Sequence, residues 1–405
     1  MILDSFSKIA WLNLLMHAHS YLKSSSQILK EYKGEEPFAS FLKKYFALNK
    51  KFGSKDRKQV SNLCYCYFRL GKALPHISIE ERIVTGLFLC SDAPGELLEE
   101  LKPEWNKQNE LPVRIEDIFP FKKQLSKGID HEKFCESFLV QPDLFIRLRP
   151  GHESAVKRKL LDQGIVFSEV TSSCLSLPNA SKIENVIELD KEAVVQDYAS
   201  QQTGVLLKNF KPGLGSFFEQ IPGHPKVWDC CAASGGKSLM VYDMDPGIEL
   251  TVTDIRESIL VNLKKRFAKA GVKNYNALVA DLSRSSPQLS LKESFRTNFE
   301  FIICDAPCTG SGTWSRTPEQ LYFFNEKKIE QYSLLQKKIV SNIISHLKRD
   351  GFLLYITCSA FRQENEEVVE FIQSNSKLKL ITMELLKGYD KKADTMFVAL
   401  FRKIS

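Results

Sequence analysis

Two cysteines stand where a side chain can do covalent chemistry. Cys308 lies in Asp305-Ala306-Pro307-Cys308-Thr309-Gly310-Ser311-Gly312, and Cys358 in Thr357-Cys358-Ser359. Each ends or follows an apolar run with the texture of a buried strand, Phe299 to Asp305 and Phe352 to Cys358. A random cysteine in a sheet is usually an inert hydrophobe, as Cys304 is expected to be. Two at the ligand edge of adjacent strands suit nucleophilic catalysis. Methylation of cytosine at C5 is a reaction that needs such a group, because that carbon is too weak a nucleophile to take a methyl group unaided. A thiolate adding at C6 makes C5 enamine-like and replaces one high barrier by two lower ones. A free thiol has a pKa of about 8.5, so a helix N-terminus or a cation such as Lys237 or Arg316 is expected to favour the thiolate. Afterwards a base must take the C5 proton and the sulfur must leave. Cys308 suits that step, and Asp305 is placed to hold the base edge.

A second constellation could hold a cofactor. Asp229-Cys230-Cys231-Ala232-Ala233-Ser234-Gly235-Gly236-Lys237-Ser238 joins a short apolar strand to a helix. Small residues let backbone approach a ligand, and the helix start offers free N–H groups to an anion. The P-loop pattern fails because Cys231 stands where its first glycine belongs, and no GxGxxG occurs. S-adenosylmethionine remains: its carboxylate suits the N–H groups, its ribose hydroxyls suit Asp254, and its adenine amine suits Asp281. An acid at 254 would serve NAD equally well, so that residue does not separate the two.

These residues need a frame. From Pro225 onward, strand and helix patterns alternate. Strand ends are expected at Val227–Asp229, Leu250–Asp254, Ala277–Asp281, Phe299–Asp305 and Phe352–Cys358, and helices at 257–270, 327–348 and 363–373. That order predicts a mainly parallel sheet covered on both faces, binding ligands at the carboxyl ends of its strands. Asp229, Asp254, Asp281, Asp305 and Cys358 should therefore converge on one edge. Residues 5–135 read as helical, with apolar faces Ile9, Leu12, Leu15, Met16; Phe38, Phe41, Leu42, Tyr45, Phe46; and Val60, Leu63, Cys64, Phe68. They suit either a packing module or a docking module. Between them, Leu144–Arg149 reads as a strand, Ser154–Gln163 as a basic helix, and 165–170, 174–177 and 186–189 as short strands. Lys211-Pro212-Gly213-Leu214-Gly215 then makes a loop. The expected division is a helical domain over 1–140, a small α/β lobe over 141–215 and an α/β catalytic domain over 216–405.

Bulk properties exclude little but agree. The 405 residues carry a net charge of +7, which suits a phosphate-rich partner. Arg147, Arg149, Lys157, Arg158 and Lys159 are candidate phosphate contacts. None of the ten cysteines forms a CxxC pair, so no metal site is expected, and a reduced, cytoplasmic setting is. No stretch reaches the roughly 18 apolar residues of a membrane helix, and the first residues lack a signal-peptide pattern. A monomer is expected.

The motifs together resemble the RsmB/Nop/Sun family of RNA cytosine-C5 methyltransferases over residues 196–402. Gln196-Asp197-Tyr198-Ala199-Ser200-Gln201 is similar to its QDxAS motif. Residues 229–238 resemble DxCAAPGGKT with Ser234 in place of proline. Residues 305–312 resemble DAPCSGxG, with Arg316-Thr317-Pro318 as its RxP continuation. Tyr355–Ser359 followed by Glu364-Asn365-Glu366 resembles YSTCSxxxxENE, and Ala393–Phe397 resembles ADGFF with its glycine and one phenylalanine replaced. The resemblance implies a Rossmann-like methyltransferase fold, Cys358 as nucleophile and Cys308 in product release. It implies cofactor contacts from Cys231, Ala232, Ala233, Ser234, Gly235, Gly236, Lys237, Asp254, Asp281 and Asp305. DNA cytosine methyltransferases attack instead from the Pro-Cys cysteine, so Thr357-Cys358-Ser359 argues for an RNA substrate. Ser54–Arg57 through Tyr67–Leu70 is similar to the NusB-like helical domain of the ribosomal RNA members, and 144–165 to their small RNA-binding lobe. This favours small-subunit ribosomal RNA, with transfer RNA, or a catalytically silent ribosome-assembly factor, as alternatives. The target base would be single-stranded or flipped out, since attack at C6 needs the ring face.

Overall fold

The computed structural model describes residues 3–91, 95–102, 113–208, 218, 221, 223–284 and 298–404, with backbone alone for 3–16 and 208. The expected loop at 211–215 and the side chains of Ile9, Leu12, Leu15 and Met16 lie outside the described residues. The chain forms two compact units. One comprises residues 1–123, 130–141 and 314–325; the other comprises 124–129, 142–313 and 326–405.

The first unit is helical. Helices Ser54–Arg69 and Ile79–Leu89 pack with Leu3–Glu31, and Phe38–Leu48 joins their core. Each presents an apolar stripe at helical spacing, and Phe38, Leu42, Phe46, Val60, Leu63, Cys64, Phe68 and Ile83 share one core. Ser78 opens helix Ile79–Leu89 with a capping box: its hydroxyl accepts from the Glu81 N–H and the Glu81 carboxylate accepts from the Ser78 N–H. Residues 314–325 join this unit although the chain on either side belongs to the other. Buried Arg69 explains the attachment. Its guanidinium donates to the carbonyls of Phe138, Val140 and Ser315 and to the Gln141 amide oxygen, while Lys72 donates to the carbonyls of Tyr322 and Phe324. Arg316 therefore sits in a segment tied to the helical unit.

The second unit holds two sheets. Strands β1 (Leu144–Leu148), β2 (Ser168–Thr171), β3 (Cys174–Leu177) and β4 (Ala193–Val195) form an antiparallel sheet in the order β2-β3-β1-β4. Helix Glu153–Asp162 buries Val156 and Leu160 with Ile146, Leu148, Leu175 and Leu177. The strand expected at 186–189 is absent. A 3-10 turn, Ile183–Asn185, and a positive-φ turn at Asp190 occupy that stretch, and the pairing strand begins at Ala193. The apolar residues there fill the core from a turn instead of a ladder.

The larger sheet contains β5 (Lys226–Asp229), β6 (Glu249–Asp254), β7 (Tyr275–Val279), β8 (Phe299–Asp305), β9 (Leu347–Thr357), β10 (Leu378–Leu386) and β11 (Met396–Lys403). Its order is β10-β11-β9-β8-β5-β6-β7. Strands β5 to β9 pair parallel, and β11 pairs antiparallel with both neighbours. Period-two alternation divides the strand residues between two cores. Val227, Phe301, Ile303, Leu354 and Ile356 face one; Trp228, Ile302, Cys304, Leu353 and Tyr355 face the other. The strand order reverses at β5, with β6 on one side and β8 on the other, which opens a crevice at the carboxyl ends. The helix expected to reach 348 ends at Ile343, because Leu347 already pairs with Phe299. Asp281 lies two residues past the end of β7, not at its last position.

The arginines of β1 are structural. Arg147 Nη1 donates to Asp243 Oδ2 at 2.6 Å, and Arg149 Nη2 to Asp243 Oδ1 at 2.7 Å. All three side chains are buried. Lys157 and Lys159 pair with Glu169 and Glu192. The basic cluster read as phosphate contacts is thus partly an internal brace between β1 and the helix Gly236–Met244. Asp243→Ala leaves two buried guanidiniums without their counter-charge and is expected to cost about 3–5 kcal/mol. Lys157→Ala, breaking a pair whose glutamate is half exposed, is expected to cost under about 1 kcal/mol. Urea unfolding measures both, and equal losses would contradict the assignment.

Candidate active site

The loop after β5 is built for close approach. Ala233 and Gly235 have φ of +45° and +83°. A Cβ on Gly235 would lie 2.7 Å from the Phe267 ring, so only glycine fits this turn. Asp229 is fully buried, and its Oδ2 accepts from the Ser238 hydroxyl at 2.6 Å. Burial pushes its carboxyl up to about 7. Ser234, where the resembled motif has proline, accepts from Arg266 Nη1 through both its carbonyl and its hydroxyl, each at 2.9 Å.

Around this loop the strand ends place their acids. Asp254 accepts from the Ala233 N–H at 3.0 Å and from the backbone and guanidinium of Arg256. Burial works to raise its carboxyl, but these bonds outweigh it and hold it below the usual range. Asp281 accepts from the Ser283 hydroxyl at 2.6 Å and from Arg284, and is likewise held low, chiefly by the Ser283 hydroxyl. Asp305 accepts from buried Lys237 Nζ at 3.1 Å, and the same ammonium donates to Ser200 Oγ at 2.8 Å. The Gln196–Gln201 motif thus helps to aim Lys237. Asp197 caps helix Tyr198–Lys208 through the Ala199 N–H and also accepts from the Asp394 N–H.

A cavity of about 420 Å³ opens here. Cys231, Ala233, Asp254, Asp281, Asp305 and Cys308 line it, with Arg256, Tyr332, Leu335 and Ile339. Of the expected cofactor residues, Ala232, Ser234, Gly235, Gly236 and Lys237 do not line it. They shape the loop and helix start or, as Lys237 does, reach Asp305. Tyr332 and Arg256 are additions that sequence reasoning missed. Tyr332, Leu335 and Ile339 share one face of helix Lys327–Ile343, a spacing that could have flagged them. The volume falls within the roughly 300–1,000 Å³ of small-molecule sites. Two acids for ribose and adenine polar groups, beside apolar Ile255, Leu282, Leu335 and Ile339, fit S-adenosylmethionine. Its hydroxyls would share Asp254 with Arg256.

Cys308, on this wall, meets Cys358, which does not line the cavity. Cys308 Sγ and Cys358 Sγ lie 3.2 Å apart. The contact with Cys358, together with burial, pushes the Cys308 thiol well above its ordinary value. Glu364 sets the pair. It is fully buried and accepts from Thr309 Oγ1 and Ser359 Oγ, each at 2.6 Å, and from the Thr309 N–H and Gln336 Nε2. One carboxylate thereby joins the residues that follow both cysteines. Asn365 accepts from Thr357 Oγ1 and donates to the Ser359 carbonyl. Gly312 donates to the Cys358 carbonyl and accepts from the Thr395 N–H; a Cβ there would lie 1.9 Å from the Thr395 oxygen. Glu364→Ala removes the acceptor of four donors, those of Ser359 and Gln336 buried, and is expected to cost about 2–4 kcal/mol by urea unfolding. A loss under about 0.5 kcal/mol would remove this carboxylate from its bracing role.

The doubly covered sheet, its reversal at β5 and the cavity at its carboxyl edge define a Rossmann-like methyltransferase fold. Residues 221–401 match the family model described as 16S rRNA methyltransferase RsmB/F. The chain is 24% identical over 285 residues to ribosomal RNA small subunit methyltransferase B of Pasteurella multocida, covering 69% of this chain and 58% of that protein. It is 27% identical over 290 residues to the protein of the same name from Photorhabdus laumondii, covering 70% and 60%. The matches thus span about three-fifths of those relatives. The solved structure of NSun6 from Pyrococcus horikoshii with SFG shares the fold, with a TM-score of 0.55 and 15% identity over 72% of this chain and 97% of that one. Among the described residues no helix is long and apolar enough to cross a membrane.

Proposed function

We propose that the protein methylates C5 of a cytosine in RNA, small-subunit ribosomal RNA in the first instance, using S-adenosylmethionine. The observation that carries this reading is the Cys358 sulfur 3.2 Å from that of Cys308, which lines an acid-lined cavity. A nitrogen or small-molecule methyltransferase needs no such pair. The names of the relatives supply the RNA class, and SFG, carried by NSun6, is an analogue of the proposed cofactor.

When bound, the cofactor supplies an electrophilic methyl group on a sulfonium. The protein's residues do the rest. Asp254 and Asp281 would hold the ribose hydroxyls and adenine amine, and the apolar Leu282, Leu335 and Ile339 would pack against the adenine. The Cys358 sulfur bonds to C6 of the cytosine, and Asp305, held by Lys237, accepts from the base edge. With C6 occupied, the electron pair of the ring is available at C5 to take the methyl group. The C5 proton then leaves to a base at the Cys308 side, the S–C6 bond breaks, and the Cys358 thiolate is restored. The target base must present its face, so it enters unpaired or flipped.

Transfer of labelled methyl groups to small-subunit ribosomal RNA transcripts tests the proposal, with transfer RNA as the parallel arm. The expected result is 5-methylcytosine in the ribosomal transcript. Label in transfer RNA alone would change the substrate, and cofactor binding with no transfer to any RNA would refute the activity.

A further inference from the structure

Three thiols that take no part in the proposed bond-making converge at the cavity, with Cys230 and Cys231 on its wall. The sulfurs of Cys230, Cys231 and Cys304 all lie within 4.8 Å of one another, with Cys230 and Cys231 at 3.9 Å. Strand pairing causes the convergence. Parallel β5 and β8 align Asp229 with Ile303, and the Cys230 N–H donates to the Ile303 carbonyl, so Cys230 and Cys304 project into the same core. Cys231 turns in beside them from the loop. Cys230 and Cys304 are buried, and Cys231 is half-buried on the cavity wall.

We propose that Cys230, Cys231 and Cys304 form a binding site for one thiophilic d10 cation, Zn²⁺ or Cu⁺. Thiolates about 2.3 Å from a shared Zn²⁺ ion stand roughly 3.8–4.0 Å apart, close to the spacing already present. Soft sulfur ligands select these cations over Mg²⁺ or Ca²⁺. The ligands sit on paired strands, so binding needs only small side-chain adjustments. Three protein ligands leave a further position for water or a donor in the cavity. The spacing rule that led to no metal expectation looks for neighbours in sequence, and Cys304 is far along the chain from the other two.

The test uses the full chain, stripped of metal and dialysed under reducing conditions against Zn²⁺ alone or Cu⁺ alone, with metal per chain measured by atomic emission. The proposal needs no cofactor or RNA for this measurement, so it stands or falls apart from the methyltransferase reading. One retained ion of either metal is expected in the wild type and in Cys308→Ser/Cys358→Ser, and none in Cys230→Leu/Cys304→Leu. Should the latter not fold, Cys304→Ser serves in its place, with at least a tenfold weaker retention expected. No retained ion in the wild type overturns the site. So does full retention without Cys304, or loss of the ion with the catalytic pair alone.

Discussion

Cys358→Ala is expected to lose methyl transfer by at least about 10⁴-fold, the scale seen when a covalent nucleophile is removed from an otherwise intact site. The residue follows β9, and its sulfur lies 3.2 Å from that of Cys308 on the cavity wall. Its backbone is fixed by the Gly312 N–H on one side and by the Asn365 bond to the next carbonyl on the other. Alanine keeps both, so the fold and the affinity for S-adenosylmethionine should stay within about threefold of the wild type. The loss must then fall on chemistry. Methyl transfer under single-turnover conditions, read beside cofactor binding by calorimetry, separates the two. Residual turnover above one per cent would place the nucleophile elsewhere.

Cys308→Ala should behave differently. Its sulfur lies 3.2 Å from that of Cys358, close enough to handle a proton beside the proposed nucleophile. Its removal leaves formation of the S–C6 bond and methyl transfer intact but slows loss of the C5 proton, by about 10²–10⁴-fold if it acts as a general acid–base group. A covalent protein–RNA adduct therefore accumulates, visible as a band of reduced mobility in a denaturing gel. Cys308→Ala/Cys358→Ala should show no such band. Normal turnover without an adduct would take Cys308 out of product release.

The residues that meet at the site could be read from the chain because each ends an apolar run. A strand that stops at an acid or a thiol puts that group on the ligand edge, and Asp229, Asp254 and Asp305 lie there. The alternation of Val227 and Trp228, or of Leu353 and Leu354, between two cores is the physical content of those runs. Partners distant in sequence were not readable. Arg147 and Arg149 look like phosphate ligands until Asp243 is seen between them. Residues 314–325 look like a plain continuation of the Pro-Cys motif, and only Arg69 and Lys72 show where they pack. Strand β10 escaped because it is a half-exposed edge whose alternation is weak. The missed end of helix Lys327–Ile343 has a similar cause: Leu347 carries an apolar side chain that suits either a helix or a strand, and the β8 ladder decides.

The most direct test is to identify the bond itself. Cys308→Ala incubated with S-adenosylmethionine and a small-subunit ribosomal RNA fragment, then digested with nuclease and protease, should yield one modified peptide by mass spectrometry. That peptide should contain Cys358 and carry a methylated cytidine nucleotide on its sulfur. A nucleotide on any other cysteine, or 5-methylcytosine made at full rate with Cys358 absent, would contradict the account.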